Sequence, residues 1–217
     1  MKVFSSYQPT LLNQTEQNLP LPPATIKLQR KSEMEPSVVT LDHFEYLFDI
    51  KYRSTLCFAS NASLQEVINH CPFILRCPRI VTENYELTTL YKKELDNATL
   101  APVYVKWIDN TLQYGLFADA DIEEGTFIGE YVGLIHRLYH HHPVGNNYCF
   151  QYPSKWWSWH YFVIDALGEG NLTRFINHNN EPNLRPACLV EDQLLHQVFI
   201  ARSKILKDTE LTFHYGN

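Results

Sequence analysis

Nowhere in the 217 residues does an apolar run reach the length needed to cross a bilayer as a helix. The opening Met1-Lys2-Val3-Phe4-Ser5-Ser6 has too short an apolar stretch for a general secretory signal. A soluble chain, not an integral membrane protein, is the expectation. An excess of positive charge is missing as well: 18 Lys and Arg stand against 24 Asp and Glu, a formal net charge of −6. That balance argues against a protein that grips phosphate backbone by itself and favours basic partners. Cysteine is sparse. Cys57, Cys71, Cys77, Cys149 and Cys188 are odd in number, irregular in spacing and without a C-x-x-C pair. They predict neither a disulfide framework nor a zinc knuckle, but small buried hydrophobes in a reducing compartment. No internal repeat is present.

What remains is 45% apolar and 13% aromatic, too hydrophobic for a disordered chain and enough for one domain with an appendage. Residues 1–37, with Leu19-Pro20-Leu21-Pro22-Pro23 at their centre, read as an extended arm or linker. Residues 38–101 read as a helical segment. Leu41, Phe44, Leu47 and Phe48 recur at helical spacing as a buried stripe. Ser63-Leu64-Gln65-Glu66 spells a capping box, and Pro72 ends the helix that follows. This segment is expected to pack on the remaining domain or to mediate a homodimer.

From Pro102 onward the texture is that of a mostly-β (α+β) domain spanning 102–217. Val103–Ile108 and Leu116–Ala118 read as strands around an Asp109-Asn110 turn. Short aromatic and β-branched runs follow at Thr126–Ile128, Tyr148–Phe150, Tyr161–Ile164 and Gln197–Ile200. His136, His140, His141 and His142 cluster just before Pro143-Val144-Gly145-Asn146-Asn147, and a solvated loop accounts for them. A metal-dependent hydrolase built on these histidines would need paired ligand spacing and carboxylates that the run lacks.

Four segments carry a more specific pattern. The first is Gln113-Tyr114-Gly115-Leu116-Phe117-Ala118 with Asp121 to Gly133; the second is Tyr148-Cys149-Phe150-Gln151-Tyr152. The third is Arg174-Phe175-Ile176-Asn177-His178-Asn179-Asn180-Glu181-Pro182-Asn183, and the fourth is Glu210-Leu211-Thr212-Phe213-His214-Tyr215-Gly216. In order and spacing they resemble the SET-domain protein lysine methyltransferases. The third is similar to the family's Arg-Phe-Ile-Asn-His-Ser-Cys-x-Pro-Asn, with Asn179 and Asn180 replacing Ser and Cys. The fourth is similar to Glu-Leu-Thr-[Phe/Tyr]-Asp-Tyr, with His214 replacing Asp. In the first, Gln113 replaces the leading glycine of Gly-x-Gly.

The resemblance implies a fold of small twisted sheets with a knot-like crossing, preceded here by the helical segment. It implies S-adenosyl-L-methionine as cofactor, held by Gly115, Leu116, Phe117, Tyr148, Arg174, Asn177, His178 and Tyr215. Tyr215 and Tyr148 would be catalytic, Phe213, Tyr148 and Tyr152 would wall the lysine channel, and no metal is required. The substrate would be a lysine-rich protein, a histone or a bacterial histone-like protein. With no cysteine-rich zinc segment on either side, the chain looks like the short SET proteins of bacteria, working in the bacterial cytoplasm or delivered into a host cell. The alternative is a non-catalytic SET-fold module that binds basic tails.

Overall fold

A computed structural model of the chain describes residues 7–14, 18–70, 78–137, 146–152 and 162–215. Its first elements are β1 (Thr10–Leu11), β2 (Thr25–Gln29), β3 (Ser37–Thr40), α1 (Leu41–Phe48), β4 (Lys51–Tyr52), β5 (Cys57–Phe58), α2 (Asn61–His70) and α3 (Pro78–Asp96). Then come β6 (Val103–Trp107), β7 (Tyr114–Ala118), β8 (Phe127–Glu130), β9 (Leu134–Arg137), β10 (Cys149–Tyr152), β11 (Phe162–Asp165) and β12 (Glu169–Gly170). A 3-10 turn at Leu172–Phe175 leads to β13 (Asn177–His178), β14 (Leu184–Glu191), β15 (Leu194–Ala201) and β16 (Thr212–Phe213). No described helix is long and apolar enough to cross a membrane.

These strands make small mixed sheets. One has the order β3-β2-β6-β7, another β14-β15-β8, and a third β1-β5-β9-β11-β10. The parallel pairs β4–β12 and β13–β16 complete the set. The Asp109 turn forms because its carboxylate accepts the N–H groups of Thr111 and Leu112, both at 2.7 Å. Strand β15 is buried along its whole length because both faces are covered. Val198 and Ile200 pack with Tyr91, Leu95 and Phe127, while Leu195, Phe199 and Ala201 join the main core.

The arm expected over 1–37 contains strands of these sheets. Leu28 of β2 is fully buried and pairs in parallel with Val105 of β6. Tyr7 donates its hydroxyl to Glu130 at 3.0 Å, and the other oxygen of that carboxylate holds the buried His196 at 2.7 Å. Proline content signalled an exposed linker; the apolar alternation of Thr25–Gln29 prevailed by packing.

The helical segment also departs from expectation in detail. Thr40 caps α1 through the His43 N–H, and Phe44 is its buried residue, whereas Leu47 is 43% exposed. In α2 the capping pair is Ser60 with Ser63, each hydroxyl taking the other's N–H at 3.0 and 3.3 Å. Glu66 instead pairs with Arg137, so the expected Ser63–Glu66 box does not form. α3 packs on β14 and β8 through Leu87, Tyr91 and Leu95. Cys71, Pro72, Cys77, His140, His141, His142 and Tyr161 lie outside the described residues.

Candidate active site

The site has two halves. The first is a cleft of about 570 Å³ between the β6–β7 turn, the end of α1 and the residues before the 3-10 turn. Gln113 comes from the β6–β7 turn, where it sits at φ 61, and Tyr114 opens β7. That left-handed backbone is the one glycine adopts without strain, which is why glycine suits this position. Asn177 of β13 ties the turn down, donating its amide to the Tyr114 carbonyl at 3.3 Å and to the Glu210 carboxylate at 2.9 Å. Gly115 permits this close approach: a Cβ there would lie 2.8 Å from the Glu210 carboxylate and 3.1 Å from the Asn177 amide.

Arg174 enters the same cleft from the 3-10 turn. Asn171 caps that turn, accepting the Thr173 N–H at 3.0 Å while donating to the Glu130 carbonyl at 3.0 Å. Arg174 is 7% exposed, and its guanidinium lies over the Tyr148 ring, 4.0 Å from the centre. One terminal nitrogen donates to the Leu167 carbonyl at 3.2 Å; Nε is buried without a partner. Burial pulls its pKa below the ordinary value. A buried cation with an unused donor is suited to an anionic ligand group.

The second half is an aromatic wall. Phe213 of β16 is stacked with Phe150 (centroids 5.8 Å apart, planes 21°) and packs on Phe199 at 4.8 Å and Tyr215 at 4.7 Å. Tyr131 packs on Phe150 at 5.4 Å and donates its hydroxyl to the Tyr148 carbonyl at 2.7 Å. Tyr215 is half exposed, yet its hydroxyl reaches the Ile176 carbonyl at 2.9 Å. Burial, aided by Tyr148 and Glu210, pushes its pKa up to about 12. The parallel pairing of β13 with β16 brings the third and fourth sequence segments together.

Comparison with known proteins adds the family. The family model for the SET domain matches residues 113–216. Residues 113–216 are a SET domain. Over 111 residues the chain is 36% identical to the histone-lysine N-methyltransferase ASHH2 of Arabidopsis thaliana, an alignment covering 48% of this chain and 6% of that protein. Over 122 residues it is 36% identical to the H3 lysine-36 specific histone-lysine N-methyltransferase of Candida albicans, covering 52% of this chain and 14% of the relative. The chain thus spans a small part of the length of these relatives. Among solved structures, ATXR5 in complex with histone H3.1 mono-methylated on R26 has a TM-score of 0.59 at 20% identity, over 81% of this chain and 85% of that one. That likeness is one of fold, and it extends beyond the SET domain.

Within the SET domain the expected site residues divide. Tyr148 and Arg174 line the cleft, Phe213 and Tyr215 form the wall, and Gly115 and Asn177 brace the β6–β7 turn. Leu116 is a fully buried core residue that meets the site only through its backbone strand. Phe117 packs on Tyr104 and Lys106 instead, since alternate residues of β7 face opposite ways. His178 is exposed, bonded to Asn180 and accepting the Tyr215 N–H at 3.1 Å, so it orients Tyr215. Tyr152 is fully buried with its hydroxyl accepting the Leu195 N–H, and Phe150 holds the wall place expected of it. Sequence reasoning passed over Tyr131, Phe150, Glu210 and Phe48. The first three lie inside the quoted segments and could have been weighed; Phe48 carried no signal beyond helical spacing.

Proposed function

We propose that the chain is a protein-lysine N-methyltransferase that uses S-adenosyl-L-methionine and acts on a lysine-rich protein, a histone or histone-like protein. The observation that carries this reading is the meeting of the two halves at Tyr148, whose ring faces Arg174 in the cleft and whose carbonyl holds Tyr131 of the aromatic wall. The similarity to histone-lysine N-methyltransferases supports the same activity and substrate class. The net charge of −6 suits a basic partner.

The cleft residues fit the cofactor. Arg174 lines the cleft and brings a guanidinium for a carboxylate, and the Tyr114 and Tyr148 rings offer faces to a cationic sulfur. The cofactor supplies a methyl group already activated by a sulfonium, so the protein contributes position and desolvation. A free lysine has pKa about 10.4, and holding it neutral at pH 7 costs roughly 4.6 kcal/mol in water. The wall of Phe150, Phe213, Tyr131 and Tyr215 lowers that cost by disfavouring the ammonium. Tyr215 stays protonated and orients the amine, and the amine proton leaves through water.

The test is transfer of labelled methyl from S-adenosyl-L-methionine to core histones, read by mass spectrometry of the modified lysine. Incorporation of methyl into a lysine side chain is expected. Tight cofactor binding without transfer to any histone or lysate protein would replace this reading with a non-catalytic module that binds basic tails.

A further inference from the structure

The cleft is not made by the SET domain alone. Leu47, Phe48 and Asp49, from the end of α1, line it together with Tyr114, Tyr148 and Arg174. This wall is fastened from both sides. Phe48 packs edge-on against Tyr114 and Phe175, each with centroids 4.9 Å apart. Just beyond it, β4 pairs in parallel with β12, and Lys51 N–H donates to the Gly168 carbonyl at 2.8 Å. Arg53 adds an ion pair to Glu169. The end of α1 is therefore held against the rim at Leu167 and Gly168.

Asp49 is the left-handed C-cap of α1, with φ 47 and ψ 49, and it lines the cleft as an exposed residue. Among the described residues its carboxylate has no ion pair. Of the residues that line the cleft, Asp49 and Arg174 are the charged ones, one of each sign. An amino-acid group carries an ammonium and a carboxylate, and its recognition calls for one charge of each sign.

We propose that α1 is a functional part of the cofactor site and that Asp49 receives the amino group of the cofactor's amino-acid end while Arg174 receives its carboxylate. This rests on the cofactor reading above and assigns a specificity residue outside the SET domain.

The test uses the full chain, isothermal calorimetry, S-adenosylhomocysteine and its desamino analogue, which keeps the carboxylate. The wild type should prefer S-adenosylhomocysteine by about tenfold or more, the scale of one charge-assisted hydrogen bond. Asp49→Asn should remove that preference while leaving affinity for the desamino analogue unchanged. Asparagine tolerates the left-handed backbone, so the cap is retained. An Asp49→Asn protein that keeps the full preference, or that loses affinity for both ligands equally, overturns the proposal while the cofactor reading stands. A wild type that binds neither ligand overturns both.

Discussion

The guanidinium of Arg174 lies 4.0 Å from the centre of the Tyr148 ring, with its Nε buried and unpartnered. Tyr148 in turn is anchored through its backbone: its N–H donates to the Asn146 side chain at 3.0 Å, and its carbonyl accepts from Ala166 at 2.9 Å and from Tyr131. The ring is thus free to present one face to a cation and to separate the cleft from the aromatic wall. Such a cation, unpaired and desolvated, is costly to the fold unless a ligand answers it.

Arg174→Met should expose that cost. It removes a buried charge and keeps a side chain of similar length, so the melting temperature should hold or rise. Affinity for S-adenosylhomocysteine should fall by about tenfold or more, the loss of a charge-assisted bond. Calorimetry and thermal melts on the two proteins read both quantities. Lower stability with unchanged affinity would make Arg174 a structural residue.

Tyr215→Phe and Phe213→Tyr probe the wall. The first deletes the hydroxyl bonded to Ile176 and keeps the ring. It should cost about 1 kcal/mol of stability at most and lower kcat by about 10²–10³-fold, by analogy with losing one preorganised donor. The second places a hydroxyl in the wall against Phe150 and Phe199. It should narrow the channel and shift products toward monomethyl-lysine with little change in the first transfer. Mass spectra of one peptide treated with each variant decide both points.

The β6–β7 turn predicts a pair of opposite stability effects. Gln113→Gly relieves a left-handed φ of 61 and should stabilise by up to about 1 kcal/mol, less the extra freedom glycine gains in the unfolded chain. Gly115→Ala drives a methyl to 2.7 Å from Ile108 Cδ1 and 2.8 Å from Glu210. It should cost about 1–3 kcal/mol and loosen the Asn177 bond to Tyr114. Urea unfolding midpoints give the signs directly.

Stability should depend on pH through Asp165. Burial raises its pKa, but bonds from His136, the Leu167 N–H and Asn146 outweigh this and bring it to about 2. The same bond to Asp165 outweighs the burial of His136 and raises its pKa. A depressed carboxylate stabilises the fold above its unfolded value, about 3.9, and loses that contribution as pH falls toward 2. A raised imidazole contributes fully below about 6.5 and loses its share as pH rises through its folded value. The pair therefore contributes most between about pH 4 and 6.5, on the order of 1 kcal/mol after solvent screening. Denaturation of wild type and Asp165→Asn at pH 2.5, 5.5 and 8 should show the largest gap at 5.5; a gap that persists at 2.5 would assign the effect to packing.

Local pattern alone identified much of this protein. The β-branched and aromatic runs marked β6, β7, β8, β10, β11 and β15, while Arg174, Asn177, Phe213 and Tyr215 were singled out by the resemblance of four segments to the family and not by periodicity. These signals are legible because periodicity and turn chemistry act over a few residues. Tertiary structure alone decided the rest. Leu28 pairs with Val105 across a long sequence interval, and Tyr7 reaches Glu130 across 123 positions. Periodicity says that Phe48 is apolar and on one helix face, but not that it packs on Tyr114 beside the cleft. Nor could it separate Phe150 from Tyr152, which share a face of β10, although Phe150 stacks on Phe213 and Tyr152 is buried with its hydroxyl on the Leu195 N–H. Which apolar face meets which is settled by packing among distant segments, and that sum is not written in any one of them.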